Sequence, residues 1–133
     1  MQDRIRTAIL VVGGASLRMY PLTQDKPKCM VEIKGKPILY WVLNWLKSHG
    51  IENIILGVAY KKEIIIEYVR NNNFGLNIMI SEHSVEGETG EGFRLAIERY
   101  VKDDNFVAMN GDELTNLDLT KMIEWHLKNN VFA

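Results

Sequence analysis

Ala8-Ile9-Leu10-Val11-Val12-Gly13-Gly14-Ala15-Ser16-Leu17-Arg18 sets an unbroken apolar run directly against a glycine pair. A short run of this kind suits a strand buried on both faces, which needs no polar alternation. The glycines then end it in a turn open to close approach by another group. Working outward, a long polar loop runs from Gly13 to about Lys36, and Pro37 suits the first turn of a helix. Ile38, Val42, Trp45, Leu46 and His49 recur at helical spacing, and Gly50 reads as the C-terminal stop. Residues 53–59 read as a strand and 61–72 as a helix running into Gly75, with 76–81 a further strand. Residues 92–101 read as a helix and 106–109 as a fourth strand. Asp118 is a suitable N-cap for a last helix to about Lys128.

Strands of Val, Ile and Leu alternating with helices predict an α/β fold, a mostly parallel sheet with helices on both faces. In such sheets ligands bind outside the carboxyl ends of the strands. The loops after Val12, Ser81 and Met109 are therefore the places to inspect, and they hold nearly all the chemically unusual residues. Val131-Phe132-Ala133 reads as the opening of a fifth strand. The expectation is one domain over residues 1–133, the N-terminal part of a larger enzyme.

Composition narrows the function. The chain has 133 residues, 47% hydrophobic and 25% charged, a globular balance. Sixteen Lys+Arg against seventeen Asp+Glu give a net charge of -1, which argues against a nucleic-acid partner held by bulk charge. The single Cys29 excludes an internal disulfide and a cysteine-based zinc cluster. No apolar run approaches the roughly 20 residues that span a bilayer, and Met1 to Thr7 is too polar for a secretory signal. A cytoplasmic enzyme or binding domain is the expectation, with no membrane partner.

The first loop continues Arg18-Met19-Tyr20-Pro21-Leu22-Thr23, then Lys26-Pro27-Lys28-Cys29-Met30. It is neither G-x-G-x-x-G nor a Walker loop, because no Gly-Lys-Ser/Thr closes it. It still suits an anion. Successive amides around the glycines can form a nest, and Arg18 offers a fork for phosphate oxygens. A glycine turn followed by solvated cations fits the same residues equally well. In the loop after the third strand, Glu82, Glu86, Glu88 and Glu91 are interleaved with Gly87, Gly90 and Gly92. By itself that is as much a solvated acidic loop as a site. The histidines His49, His83 and His126 show no ligand spacing, and His49 and His126 read as the ends of helix faces.

Taken together, Gly13-Gly14-x-x-x-Arg18-x-x-Pro21-Leu22-Thr23, Pro27-Lys28-x-Met30, Gly35-Lys36-Pro37-Ile38-Leu39, Asn110-Gly111-Asp112, Asp118-Leu119 and His126 resemble the signature of the sugar-1-phosphate nucleotidyltransferases. The resemblance covers essentially the whole chain. It implies the Rossmann-like nucleotide-diphospho-sugar transferase fold and a C-terminal half beyond residue 133. It implies transfer of a nucleotidyl group from a nucleoside triphosphate to a sugar 1-phosphate, as in glucose-1-phosphate thymidylyltransferases or mannose-1-phosphate guanylyltransferases. It implies catalytic roles for Arg18, Lys28 and Asp112, with Mg2+ on Asp112. It also implies nucleotide binding by Gly13, Gly14, Ser16, Glu82, Glu88, Thr89 and Gly111. This chain alone is then expected to be inactive, and a homo-oligomer is compatible with the family.

Four positions depart from the pattern. Ser16, Leu17 and Met19 stand where the family's loop has its third glycine, a threonine and a leucine, and Glu88 stands where a glycine usually precedes the threonine. A non-catalytic nucleotide or nucleotide-sugar sensor on the same fold is the alternative class. Retention of Arg18, Lys28 and Asp112 together favours an enzyme.

Overall fold

The computed structural model describes residues 4–132. The first apolar run forms β1 (Thr7–Val11), and a small antiparallel hairpin follows in β2 (Glu32–Ile33) and β3 (Lys36–Pro37). Then come α1 (Ile38–Ser48), β4 (Asn53–Val58), α2 (Lys62–Asn71), β5 (Asn77–Glu82), α3 (Thr89–Tyr100), β6 (Val107–Asn110) and α4 (Leu119–Asn129). The main sheet has the order β5-β4-β1-β6, and every pairing in it is parallel. β1 is a central strand, so the glycine pair that follows it sits at the middle of the sheet's carboxyl edge.

Alternation along the strands sorts the core into two layers. Ala8 and Leu10 of β1, with Val12 just beyond it, face a large layer with Ile54, Leu56 and Val58 of β4. Leu39, Val42, Leu43 and Leu46 of α1, Ile65 of α2 and Leu119 at the start of α4 pack into the same layer. Ile9, Val11 and Ile55 face the other way onto Ala96 and Phe93 of α3. Helices therefore cover both faces, three on one side and α3 on the other. Ile9, Leu10, Ile54, Ile55 and Leu56 are completely buried, which is why this run carries no polar alternation.

The termini of the helices follow the expected chemistry. α1 ends in His49 and then Gly50 at φ 88. The Gly50 N–H donates to Lys47 O and the Ile51 N–H to Leu46 O, a Schellman ending that a glycine with positive φ permits. Asp118 caps α4, its Oδ1 accepting from Lys121 N at 3.2 Å. His49 Nδ1 accepts from the Thr120 N–H at 3.3 Å, so α1 also helps to hold the start of α4.

Three readings are corrected. The stretch from Gly13 to Lys36 is not one polar loop: it holds two single-turn helices, Leu17–Met19 and Lys28–Met30, and the β2–β3 hairpin. Lys34 (φ 52) and Gly35 (φ 78) both take positive φ at its tip, the requirement of a tight hairpin turn. Helix α3 begins at Thr89 rather than Gly92, because Gly90 and Gly92 sit inside its first turn. Val131 and Phe132 lie in no strand, and Ala133, like Met1 to Asp3 of the polar start, falls outside the described residues.

Candidate functional site

The loop after β1 is held by its own chain. Gly13 O accepts from Tyr60 N at 3.2 Å, and the Tyr60 hydroxyl donates to Thr23 O at 3.0 Å. Thr23 is fully buried and its Oγ1 donates to Ser16 O at 2.8 Å. Ser16 is thereby fixed at φ 51, ψ 53, in the left-handed region that favours glycine. The departure at this position is thus a backbone matter: a Cβ is carried where the conformation disfavours one. Ser16→Gly is expected to stabilise the chain by up to about 1 kcal/mol, offset in part by the added freedom of the unfolded state. A thermal melt reads it as a rise of a few degrees, about 2–4 °C. A fall would mean that the Ser16 side chain makes a contribution larger than its strain.

Gly13, Gly14, Val85, Gly87, Glu88, Thr89 and Gly90 surround a cleft of about 370 Å³ between the β1 loop and the start of α3. The glycines of its wall fall into two kinds. At Gly13 a Cβ would collide with the ring of His83, so packing disfavours a side chain there, and at Gly87 it would displace the end of the Glu91 side chain from its place in the loop. At Gly14 and Gly90 a Cβ would meet nothing within 4 Å, and neither has positive φ. The fold does not require glycine at those two positions. Both leave bare backbone open to close approach by another group.

Lys28 and Asp112 meet on the other side of the β1 loop. Lys28 opens the Lys28–Met30 turn, which is anchored by buried Pro27, Cys29 and Met30. Asp112 follows β6, and the Gly111 N–H donates to Val11 O at 3.2 Å, tying that loop to the end of β1. A Cβ at Gly111 would collide with Val12, so Gly111 is a packing glycine at the root of the site. The two charges stand 3.5 Å apart, 34% and 23% exposed. A hard carboxylate oxygen beside a lysine is a donor set suited to a divalent cation and phosphate oxygens. Among the described residues no group of three or more His, Cys, Asp or Glu could cage a metal, so a cation here would be held largely by water and ligand.

Cys29, directly behind Lys28, is 1% exposed. Burial first, then the Asp112 charge, pushes its thiol up to about 12. Because that lies above the value of 9.0 for an ordinary thiol, the contribution to folding is intact below pH 9.0 and is lost as the pH rises toward 12. Iodoacetamide at pH 8 is expected to leave the native chain unmodified and to label it fully in guanidinium. Mass spectrometry distinguishes the two. Rapid labelling of the native chain would show that the turn bearing Lys28 opens readily.

The remaining expected residues are placed as follows. Arg18 is exposed on the Leu17–Met19 turn, with no ion-pair partner among the described residues. Glu88 and Thr89 line the cleft, Glu88 as the extended residue just before α3. The Glu82 carboxylate pairs with Lys62 Nζ at 3.0 Å, outside the cleft lining. Glu82 is exposed and Lys62 partly so, and the contact is screened by solvent. Glu91 is not simply solvated: its Oε2 accepts from Ser84 Oγ at 3.2 Å, and Ser84 Oγ accepts from Gly87 N at 2.9 Å, which shapes the loop. His83, which has no ligand spacing with another histidine, also lines the cleft. The signal available for it was parity: residues next to each other at a strand end point to opposite sides.

Comparison with known proteins adds a second, independent line. Residues 7–131 match the nucleotidyl transferase family. The chain is 37% identical over 123 residues to the D-glycero-alpha-D-manno-heptose 1-phosphate guanylyltransferase of Aneurinibacillus thermoaerophilus, covering 90% of this chain and 52% of that protein. It is 36% identical over 117 residues to a UTP–glucose-1-phosphate uridylyltransferase of Haloferax volcanii, covering 88% and 47%. The solved structure of HddC from Yersinia pseudotuberculosis superimposes with a TM-score of 0.81 at 30% identity, covering 92% of this chain and 55% of that one. The chain spans about half the length of the curated relatives it matches. A parallel sheet with a glycine loop at its carboxyl edge, matched over nearly every residue, makes the chain a member of the nucleotidyl transferase family.

Proposed function

We propose that the protein transfers a nucleotidyl group from a nucleoside triphosphate to a sugar 1-phosphate and releases pyrophosphate, and that this chain forms the nucleotide-binding half of the site. The observation that carries the reading is the Lys28–Asp112 pair, 3.5 Å apart at the root of a glycine loop. The names of the relatives, guanylyl- and uridylyltransferases acting on sugar 1-phosphates, support the same chemistry.

The nucleophile is a phosphate oxygen that is already anionic near neutral pH, so no general base is needed. The site must bring two anions together and spread charge as the phosphorus–oxygen bond changes over, which is work for positioning and preorganised charge. Gly14 and Gly90 offer backbone without side chain in the cleft wall. Lys28 Nζ serves the reacting phosphate, and the exposed Arg18 guanidinium serves the leaving pyrophosphate, for which a planar fork is suited. Asp112 would hold Mg2+, which neutralises phosphate charge when bound. Glu82 engages the nucleotide only if its pairing with Lys62 opens.

The experiment is pyrophosphate release by the whole protein, with each nucleoside triphosphate set against a panel of sugar 1-phosphates. Release that depends on both substrates is expected. Hydrolysis of triphosphate without a sugar phosphate, or no turnover with any pair, would overturn the reading. The 133-residue chain alone is expected to bind triphosphate without turning it over.

A further inference from the structure

We propose that Tyr60 is a positioning residue for the triphosphate: by fastening both ends of the β1 loop, it sets the turn that carries Arg18 before the ligand arrives. The proposal rests on the reading of Arg18 as the group that meets the pyrophosphate end of the nucleotide, and it adds the residue that holds Arg18 ready.

The geometry is that of a strap. Tyr60 lies just beyond β4, in the connection to α2, and is half-buried. Its backbone N–H donates to Gly13 O at 3.2 Å, where the β1 loop starts. Its hydroxyl donates at the other end, to Thr23 O at 3.0 Å, with Gln24 O at 3.3 Å. One residue thus ties down both ends of a loop whose midpoint is Arg18. The strap continues inside the loop. The buried Thr23 donates from Oγ1 to Ser16 O at 2.8 Å, and the same oxygen accepts from Met19 N at 3.0 Å, the bond that closes the turn around Arg18. Thr23 therefore links the Tyr60 hydroxyl to the turn that bears the guanidinium.

Backbone strain marks the two ends of this path. Ser16 at φ 51 and Lys61 at φ 48 both take the left-handed conformation without being glycine. Such conformations persist only where the surroundings over-determine them, and they gather at ligand clamps. Lys61 turns the chain into α2, and its Nζ lies 5.5 Å from the centre of the Tyr60 ring. The energetic reason for a strap lies in Arg18 itself. Its side chain is exposed and has no ion-pair partner among the described residues, so its reach is set by the turn beneath it. A loose loop would have to be ordered when the ligand binds, at the expense of affinity. A loop fastened at both ends has lost that freedom already. Only ligands long enough to reach Arg18 gain from this, which means a triphosphate and not a monophosphate.

The test is titration calorimetry on the whole protein with Mg2+, using GTP, CTP, ATP, UTP and dTTP beside the matching monophosphates. Wild type is compared with Tyr60→Phe, Arg18→Ala and the double variant. Tyr60→Phe keeps the ring and removes only the hydroxyl. It is expected to weaken triphosphate binding by about fivefold, the size of one hydrogen bond, and to leave monophosphate binding as it is. In the Arg18→Ala background the same change should cost nothing further, because the group it positions is gone. In turnover, KM for the triphosphate should rise while KM for the sugar 1-phosphate stays. Thr23→Val opens the strap at its next link and should give the same signature, so the test does not depend on one variant folding. Triphosphate affinity unchanged in Tyr60→Phe overturns this assignment alone. So does equal weakening of mono- and triphosphates, the mark of a merely structural role, or a loss that persists in full without Arg18. Wild-type triphosphate affinity in Arg18→Ala overturns the role of Arg18 and this proposal with it. Failure of every triphosphate to bind the wild type overturns the nucleotide reading as well.

Discussion

Lys28→Ala and Asp112→Asn are each expected to lower kcat/KM of the whole protein by about a hundredfold or more, the cost of losing one preorganised charge if the proposed transfer takes place beside them. Lys28 is held by a turn whose next two residues, Cys29 and Met30, are buried, so its position is set by packing and not by the Asp112 contact alone. Removing the ammonium should therefore leave the fold intact and act on the rate. Lys28→Arg is not expected to rescue, because a planar fork presents its donors differently from a compact ammonium. Asp112→Asn keeps shape and removes charge, and it should raise the Mg2+ concentration needed for half-maximal rate. The two changes are in contact and are expected to be non-additive when combined. Steady-state kinetics with circular dichroism on the same samples checks this. Rates near normal in both variants would make the 3.5 Å pair a surface ion pair of no catalytic consequence.

Gly13→Ala and Gly14→Ala, one residue apart, should fail in different ways. A Cβ at Gly13 meets the His83 ring and stands 3.1 Å from the Ala59 Cβ, so the change overpacks the end of β1. Overpacking of this kind costs about 1–3 kcal/mol, read as a lower melting temperature. A Cβ at Gly14 meets nothing within 4 Å. Its stability should stay within about 0.5 kcal/mol of wild type. Its affinity for triphosphate should nevertheless fall by about tenfold or more, because the methyl group stands where phosphate approaches the backbone. Thermal melts and calorimetry separate the two. Unchanged triphosphate affinity in Gly14→Ala would remove the loop from the binding site.

The sheet was legible because its central strands are buried on both faces and carry no polar alternation to misread. Ile9 and Leu10 point into opposite layers, yet both are fully buried. The helix ends were legible where capping depends on local chemistry, as at Gly50 and Asp118. The hairpin at Lys34-Gly35 was not, because its strands are two residues long and its turn pairs a lysine with a glycine. The start of α3 was hidden by Gly90 and Gly92, poor helix formers that tertiary position overrides.

In the site, motif spacing marked Lys28 and Asp112, residues 84 apart in sequence that the sheet brings into contact. It could not foresee that Glu82 turns outward to Lys62 while His83 turns inward, because one residue of strand phase decides that. Nor could it separate Gly14 from Gly13. That distinction rests on what a side chain would meet in three dimensions.

The central claim is that a triphosphate lies against Gly13 and Gly14 with its phosphates toward Lys28 and Asp112. Amide NMR of the 133-residue chain, titrated with a nucleoside triphosphate and Mg2+, tests it most directly. The account predicts the largest shifts at Gly13, Gly14 and Gly90, with further shifts at Lys28 and Asp112. Shifts confined to the separate recess of about 250 Å³ between Trp41, Trp45 and Leu114, with the glycine loop unmoved, would contradict it.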